Sequence, residues 1–181
     1  MNIYIALFRG INVGGKHTLP MKELVRVLEE LGCQNVKTYI QSGNVVFKSN
    51  ENDVSELSDS ISTRIKKRHG FAPFVLLLSL EELEKIVANN PFPEVQTDPK
   101  VLHIGFLASV PKEPNLKTLE SLRGENERFR LVDNAFYLYA PNGVGRSKLA
   151  ANTERLLGSS MTDRNWRTVS KVLEMGKELD G

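Results

Sequence analysis

Val36-Lys37-Thr38-Tyr39-Ile40-Gln41-Ser42-Gly43-Asn44-Val45-Val46-Phe47-Lys48 decides how this chain folds. Val36 to Ile40 and Val45 to Lys48 carry the β-branched and aromatic residues of short strands, and Gln41-Ser42-Gly43-Asn44 between them holds a Ser-Gly-Asn turn signal. Upstream, Ile3 to Phe8 reads as a strand. Thr18, Pro20 and Met21 then open a helix with Leu24, Val27, Leu28 and Leu31 on one face and Gly32 at its end. Downstream, Val54, Leu57, Ile61 and Ile65 recur at helical spacing before Gly70, and Phe74 to Leu78 is another strand. Ser79 and Glu82 form a capping box for a helix through Ala88.

A hairpin set between two helices gives the order β-α-β-β-α-β, the split βαβ arrangement of ferredoxin-like folds. Pro91, Pro93 and Pro99 then punctuate a polar linker and divide the chain into subdomains 1–93 and 94–181. The second half partly repeats the pattern. Val101 to Ala108 is a strand, Leu116, Leu119 and Leu122 mark a short helix, and Phe129 to Val132 pairs with Ala135 to Ala140 across Asp133-Asn134. Helices near Ser147–Leu157 and Arg164–Glu178 follow, with Met161-Thr162 supplying at most a stub of strand. The expected fold is α+β: two similar ferredoxin-like (split βαβ) halves with antiparallel or mixed sheets, the second divergent and ending in two C-terminal helices.

The composition excludes several classes. A net charge of +2 is too small for generic nucleic-acid binding, so electrostatic arguments must rest on local clusters. The lone Cys33 excludes a disulfide framework and reads as a packed thiol at a helix end. Met1 to Phe8 has neither the basic prefix nor the apolar core of a leader, and no stretch nears the ~20 apolar residues of a membrane span. The expected location is cytoplasmic.

The richest chemistry lies in Arg9-Gly10-Ile11-Asn12-Val13-Gly14-Gly15-Lys16-His17, three glycines and two basic side chains between a strand and a helix. Glycine lets backbone N–H groups turn toward a ligand, and a helix start adds partial positive charge, so the segment reads as an anion cradle. Gly10 and Gly15-Lys16 have P-loop spacing, but His17 stands where a Ser or Thr would hold magnesium, and the next strand enters an antiparallel hairpin. In a split βαβ unit this loop lies at the same sheet edge as the Gln41–Asn44 turn. Arg9, Asn12, Gly14, Gly15 and Lys16 should therefore converge with Gln41, Ser42 and Asn44 on one polar pocket.

Arg164-Asn165-Trp166-Arg167-Thr168 reads as the start of the last helix, capped by Thr162 or Asp163. Two arginines there oppose the helix dipole and would suit a bound anion, adding Arg164 and Asn165 to the site if that helix starts at the same edge. Asn142-Gly143-Val144-Gly145-Arg146-Ser147-Lys148 repeats the theme weakly, with Ser147 as a cap. His17, His69 and His103 are too dispersed for a metal site, and no cofactor is implied; His17 is the one candidate acid or base. Whether any reaction is catalysed does not follow from the sequence.

Three readings therefore stand: a polar, basic pocket for an anionic, phosphate-type small ligand; an RNA or single-stranded nucleic-acid module stacking bases on Tyr4, Phe8 and Phe47; or a structural, ligand-free interaction protein.

Arg9–Gly15, Gln41–Phe47 and Arg164–Val169 together resemble a widespread bacterial family known as domain of unknown function 1697. The third stretch is similar to its Arg-Asn-Trp-x-Thr-Val pattern, carried here on Arg164, Asn165, Trp166, Thr168 and Val169. The resemblance implies a compact α+β protein of two similar subdomains. It implies no reaction, substrate or catalytic residue.

Overall fold

The computed structural model describes all residues, Met1–Gly181. By compactness the chain divides into a first unit, Met1–Val87 with Ser170–Gly181, and a second, Ala88–Val169. The tail of the last helix counts with the first unit. The proline-rich stretch is ordered, forming 3-10 turns at Pro93–Gln96 and Pro99–Val101 with Phe92 and Val95 buried.

In the first unit β1 (Asn2–Arg9), β2 (Gln34–Tyr39), β3 (Asn44–Ser49) and β4 (Phe74–Ser79) form one antiparallel sheet in the order β2-β3-β1-β4. Helices α1 (Met21–Glu30) and α2 (Val54–His69) make the crossovers. This is the split βαβ order that the Val36–Lys48 hairpin dictates. Tyr4, Ala6, Phe8, Val45, Phe47, Val75 and Leu77 form one core with Leu24, Val27 and Leu28 of α1 and Leu57, Ile61 and Ile65 of α2. The alternate residues Ile5, Leu7, Val46 and Leu78 are also buried, so both sheet faces are apolar and dry.

Local chemistry explains the element ends. Asp53 caps α2 by accepting from the Glu56 amide, and Gly70, at φ 80°, closes it in the left-handed region that glycine enters without strain. Ser79 and Glu82 exchange reciprocal bonds, Ser79 N–H to Glu82 Oε2 at 2.7 Å and Glu82 N–H to Ser79 Oγ at 3.1 Å, and so start α3 (Leu80–Ala88).

The second unit repeats the topology completely. Strands β5 (Leu102–Leu107), β6 (Arg128–Val132), β7 (Ala135–Tyr139) and β8 (Met161–Asn165) pair antiparallel in the order β6-β7-β5-β8. Helices α4 (Leu116–Leu122) and α5 (Lys148–Leu157) make its crossovers, with Ser147 accepting from the Ala150 amide as the α5 cap. The stub expected at Met161-Thr162 is instead a full strand running to Asn165, in register with His103 to Leu107. The polar run Met161-Thr162-Asp163-Arg164-Asn165 hides it, because an edge strand needs only one partner and only Thr162 is fully buried. The last helix, α6, accordingly begins at Trp166 and runs to Asp180.

Candidate functional site

The edge of the first sheet where β1 ends is built from three segments. Register places Leu7 opposite Asn44 and Arg9 opposite Phe74, so the Arg9–Pro20 loop, the β2–β3 turn and the α2–β4 connection meet there. The Phe8 amide donates to Gly43 O at 2.8 Å. Gly43 is obligatory: its φ is 83°, and a Cβ would stand 2.6 Å from both Ile11 Cδ1 and Phe8 Cβ.

Most of the glycine loop is scaffold. Ile11 and Leu19 are buried and pin its two ends. Val13 pairs with Lys16 across Gly14-Gly15, whose φ values of 59° and 72° suit a two-residue primed turn, and the Lys16 amide donates to Val13 O at 3.0 Å. The glycines therefore serve a small hairpin rather than a nest wrapped around a helix start.

Asn12 ties this hairpin to its neighbours. Its Nδ2 donates to Leu19 O at 2.9 Å and Gln41 O at 2.8 Å, and its Oδ1 accepts from the Leu19 amide at 2.7 Å. Asn44 is fully buried and its Nδ2 donates to Tyr39 O and Ser42 Oγ, each at 3.1 Å. His17 lies 3.0 Å from Gly10 O through Nδ1 and stacks on Phe71 with ring centroids 4.7 Å apart.

Arg9, Lys16, His17, Gln41 and Ser42 remain exposed at this edge, with Val13 and Ile40. Residues 9–20, 39–44 and 66–74 supply Arg9, Lys16, Lys66, Lys67 and Arg68 and contain no Asp or Glu. Arg68 is drawn into an ion pair with Glu30 at 2.6 Å, which Arg64 joins at 3.1 Å. These guanidiniums hold the Glu30 carboxyl below the ordinary range, the Arg68 hydrogen bond being the largest cause. At the opposite edge, where β3 leads into α2 and β4 into α3, stand Glu51, Asp53, Glu81, Glu82 and Glu84. The loop segments at one edge are thus basic, and the turns at the other are rich in acid.

Arg164 and Asn165 lie in the second unit. Arg164 sits in β8 opposite Ile104, donating through Nη1 to Asp163 O at 2.9 Å. Burial pushes its guanidinium down to about 10, against the pull of Asp163. Asn165 is the cap of α6: its Oδ1 accepts from the Thr168 amide at 2.9 Å. Neither Thr162 nor Asp163 caps the helix, and Arg167 is the only arginine in its first turn, so the dipole argument for an anion there loses half its basis.

The aromatic platform expected of a nucleic-acid module is also missing. Tyr4, Phe8 and Phe47 are buried on the sheet face that packs against α1 and α2. No helix is long and apolar enough to cross a membrane, and no group of three or more His, Cys, Asp or Glu side chains is placed to hold a metal ion.

The model of the family described as "Protein of unknown function (DUF1697)" matches residues 1–137, and the chain belongs to that family. No curated protein matches it. Among solved structures it is similar to the conserved bacterial protein SP0830 from Streptococcus pneumoniae. That likeness has 25% identity and a TM-score of 0.71, and covers 97% of this chain and 98% of the other.

Proposed function

We propose that this DUF1697 protein binds an anionic, phosphate-bearing small ligand at the loop edge of its first unit. Lys16 and Arg9 supply charge, and Gln41 and Ser42 supply hydrogen bonds. Asn12, Gly14, Gly15, Gly43 and Asn44 act as the frame that holds these groups together. Supporting this is one observation above the others: three chain segments that carry basic residues and no Asp or Glu of their own meet at one sheet edge. Lys16, exposed among segments that contribute no Asp or Glu, offers its ammonium to an incoming anion, and the acidic groups at the far edge orient the field toward it.

The test is an amide-resolved NMR titration with orthophosphate and with a nucleoside monophosphate. Saturable shifts are expected at Lys16 and Ser42, weakening with added salt. Lys16→Ala should abolish them while changing stability by less than about 0.5 kcal/mol, because its exposed side chain makes no hydrogen bond. Shifts that are absent, or that survive Lys16→Ala unchanged, overturn the proposal. Tighter binding of a single-stranded oligonucleotide, falling steeply with salt, overturns it in favour of the nucleic-acid reading.

A further inference from the structure

We infer that the second unit holds a separate small-molecule pocket, beneath the Asn142–Ser147 loop, that takes a compact apolar body bearing an ammonium group. The pocket follows from a difference between the two halves. Helix α2 has 16 residues and begins five positions after β3 ends, whereas the equivalent α5 has 10 and begins nine positions after β7 ends. At ~1.5 Å per residue, α5 leaves roughly 9 Å of comparable sheet face without a helix over it. The connecting loop roofs that gap, and Gly145 and Ala150 fill little of it.

What results is a cavity of about 290 Å³ floored by Phe136, Leu138 and Met161. Gly105, between β7 and β8, contributes no side chain to the floor; a Cβ there would lie 2.3 Å from Met161 Sδ. An apolar cavity of ~150 Å³ accommodates benzene, so this volume admits one ring with a short substituent. The lining is apolar except where Ser147, Thr153 and Asp163 reach it. Ser147 is committed to capping α5, and Thr153 donates to Leu149 O at 2.8 Å.

Asp163 is therefore the group that confers chemical preference. His103 Nδ1 lies 3.0 Å from its Oδ2, fixing the carboxylate and leaving Oδ1 for a ligand. Arg164 donates its Nη1 hydrogen bond to the Asp163 main-chain oxygen, and its guanidinium also feels the Asp163 charge. Arg146 and Lys148 are exposed and do not line the cavity. A carboxylate at the rim of an apolar pocket favours an ammonium over a neutral isostere, and the apolar lining disfavours metal ions and sugars.

The probes are benzylamine and benzyl alcohol, followed through the methyl signals of Leu138, Val144 and Met161. Benzylamine should shift these signals saturably in the millimolar range, with benzyl alcohol about tenfold or more weaker. Asp163→Asn should erase that difference, and Ala151→Leu, at an exposed position on the rim, should weaken both probes. No saturable shift at these methyls overturns the pocket. Equal affinity for amine and alcohol, or a preference that survives Asp163→Asn, overturns the ammonium assignment. Should Asp163→Asn fail to fold, the amine–alcohol comparison on the native chain with Ala151→Leu still decides.

Discussion

Replacing Gly43 by alanine tests whether the β2–β3 turn and the Arg9–Pro20 loop form one packed edge. Two penalties add at this position. A non-glycine residue at φ 83° costs about 1–2 kcal/mol. The new methyl would also stand 2.6 Å from Ile11 Cδ1 and Phe8 Cβ and 3.1 Å from Phe8 Cγ. Ile11 Cδ1 is the end of a side chain, but Ile11 is only 1% exposed, and Phe8 Cβ is fixed to the central strand. Overpacking of this kind costs about 1–3 kcal/mol, so the sum is roughly 2–5 kcal/mol, less about 0.5 kcal/mol for the stiffened unfolded chain. At ~2–4 °C per kcal/mol for a chain of this size, Tm should fall by about 3–18 °C. Gly70→Ala is the control: its φ is 80°, but nothing lies within 4 Å of where a Cβ would stand, so only the backbone penalty of about 1–2 kcal/mol applies. Adding Ile11→Val to Gly43→Ala removes the Cδ1 obstacle and should recover part of the loss. Calorimetric melts of the four proteins decide it. If Gly43→Ala melts no lower than Gly70→Ala, or Ile11→Val only worsens it, the turn does not pack against the loop as described.

Three further outcomes are expected. Asn12→Ala removes three hydrogen bonds and strands the Leu19 amide and carbonyl, so urea unfolding should show a loss of about 2–3 kcal/mol; a loss under about 0.5 kcal/mol would refute its tethering role. Glu30 has a depressed folded-state pKa, so its contribution is complete above the ordinary glutamate value of about 4.3 and disappears as pH falls through the folded value. Glu30→Gln should therefore lower Tm near neutral pH, with the gap to the native chain closing in acid and shrinking with salt; a gap that persists at low pH contradicts the ion-pair assignment. Cys33 is buried and its thiol is pushed up to about 11, burial outweighing the Ser49 hydrogen bond. It should resist a chromogenic disulfide reagent at pH 8 until the chain is unfolded, and prompt reaction of the native protein would show that it is accessible.

The fold was readable wherever local chemistry and periodicity agreed. Helix α3 is announced by Ser79 and Glu82, α5 by Ser147, and the central hairpin by Gly43 between two β-branched runs, because each signal is a contact between residues near in sequence. Strand β8 was not readable. Its residues gain strand character only from pairing with β5, about 60 positions away, and polar Thr162, Asp163, Arg164 and Asn165 look like a helix approach when that partner is out of view. Losing the strand also misplaced the α6 cap, from Asn165 to Thr162 or Asp163. The candidate site divides in the same way. That the glycine loop faces the Gln41–Asn44 turn follows from topology alone, whereas the inward, helix-facing burial of Tyr4, Phe8 and Phe47 depends on which sheet face the helices cover, which alternation cannot specify.

The residues that make this sequence resemble its family are for the most part devices of construction. Gly43 admits the turn beneath Phe8, Asn12 binds two loops, Gly14 and Gly15 turn a hairpin, and Asn165 caps a helix. Such residues would be required whether or not anything binds at that edge, so their presence cannot by itself argue for a ligand. Lys16 and Gln41 are different. Their side chains are exposed and make no hydrogen bond, yet the frame holds both at one edge whose loop segments contain no Asp or Glu. Loss of binding without loss of stability on changing Lys16 or Gln41, against loss of both on changing Asn12 or Gly43, is the pattern that separates a binding edge from a structural one.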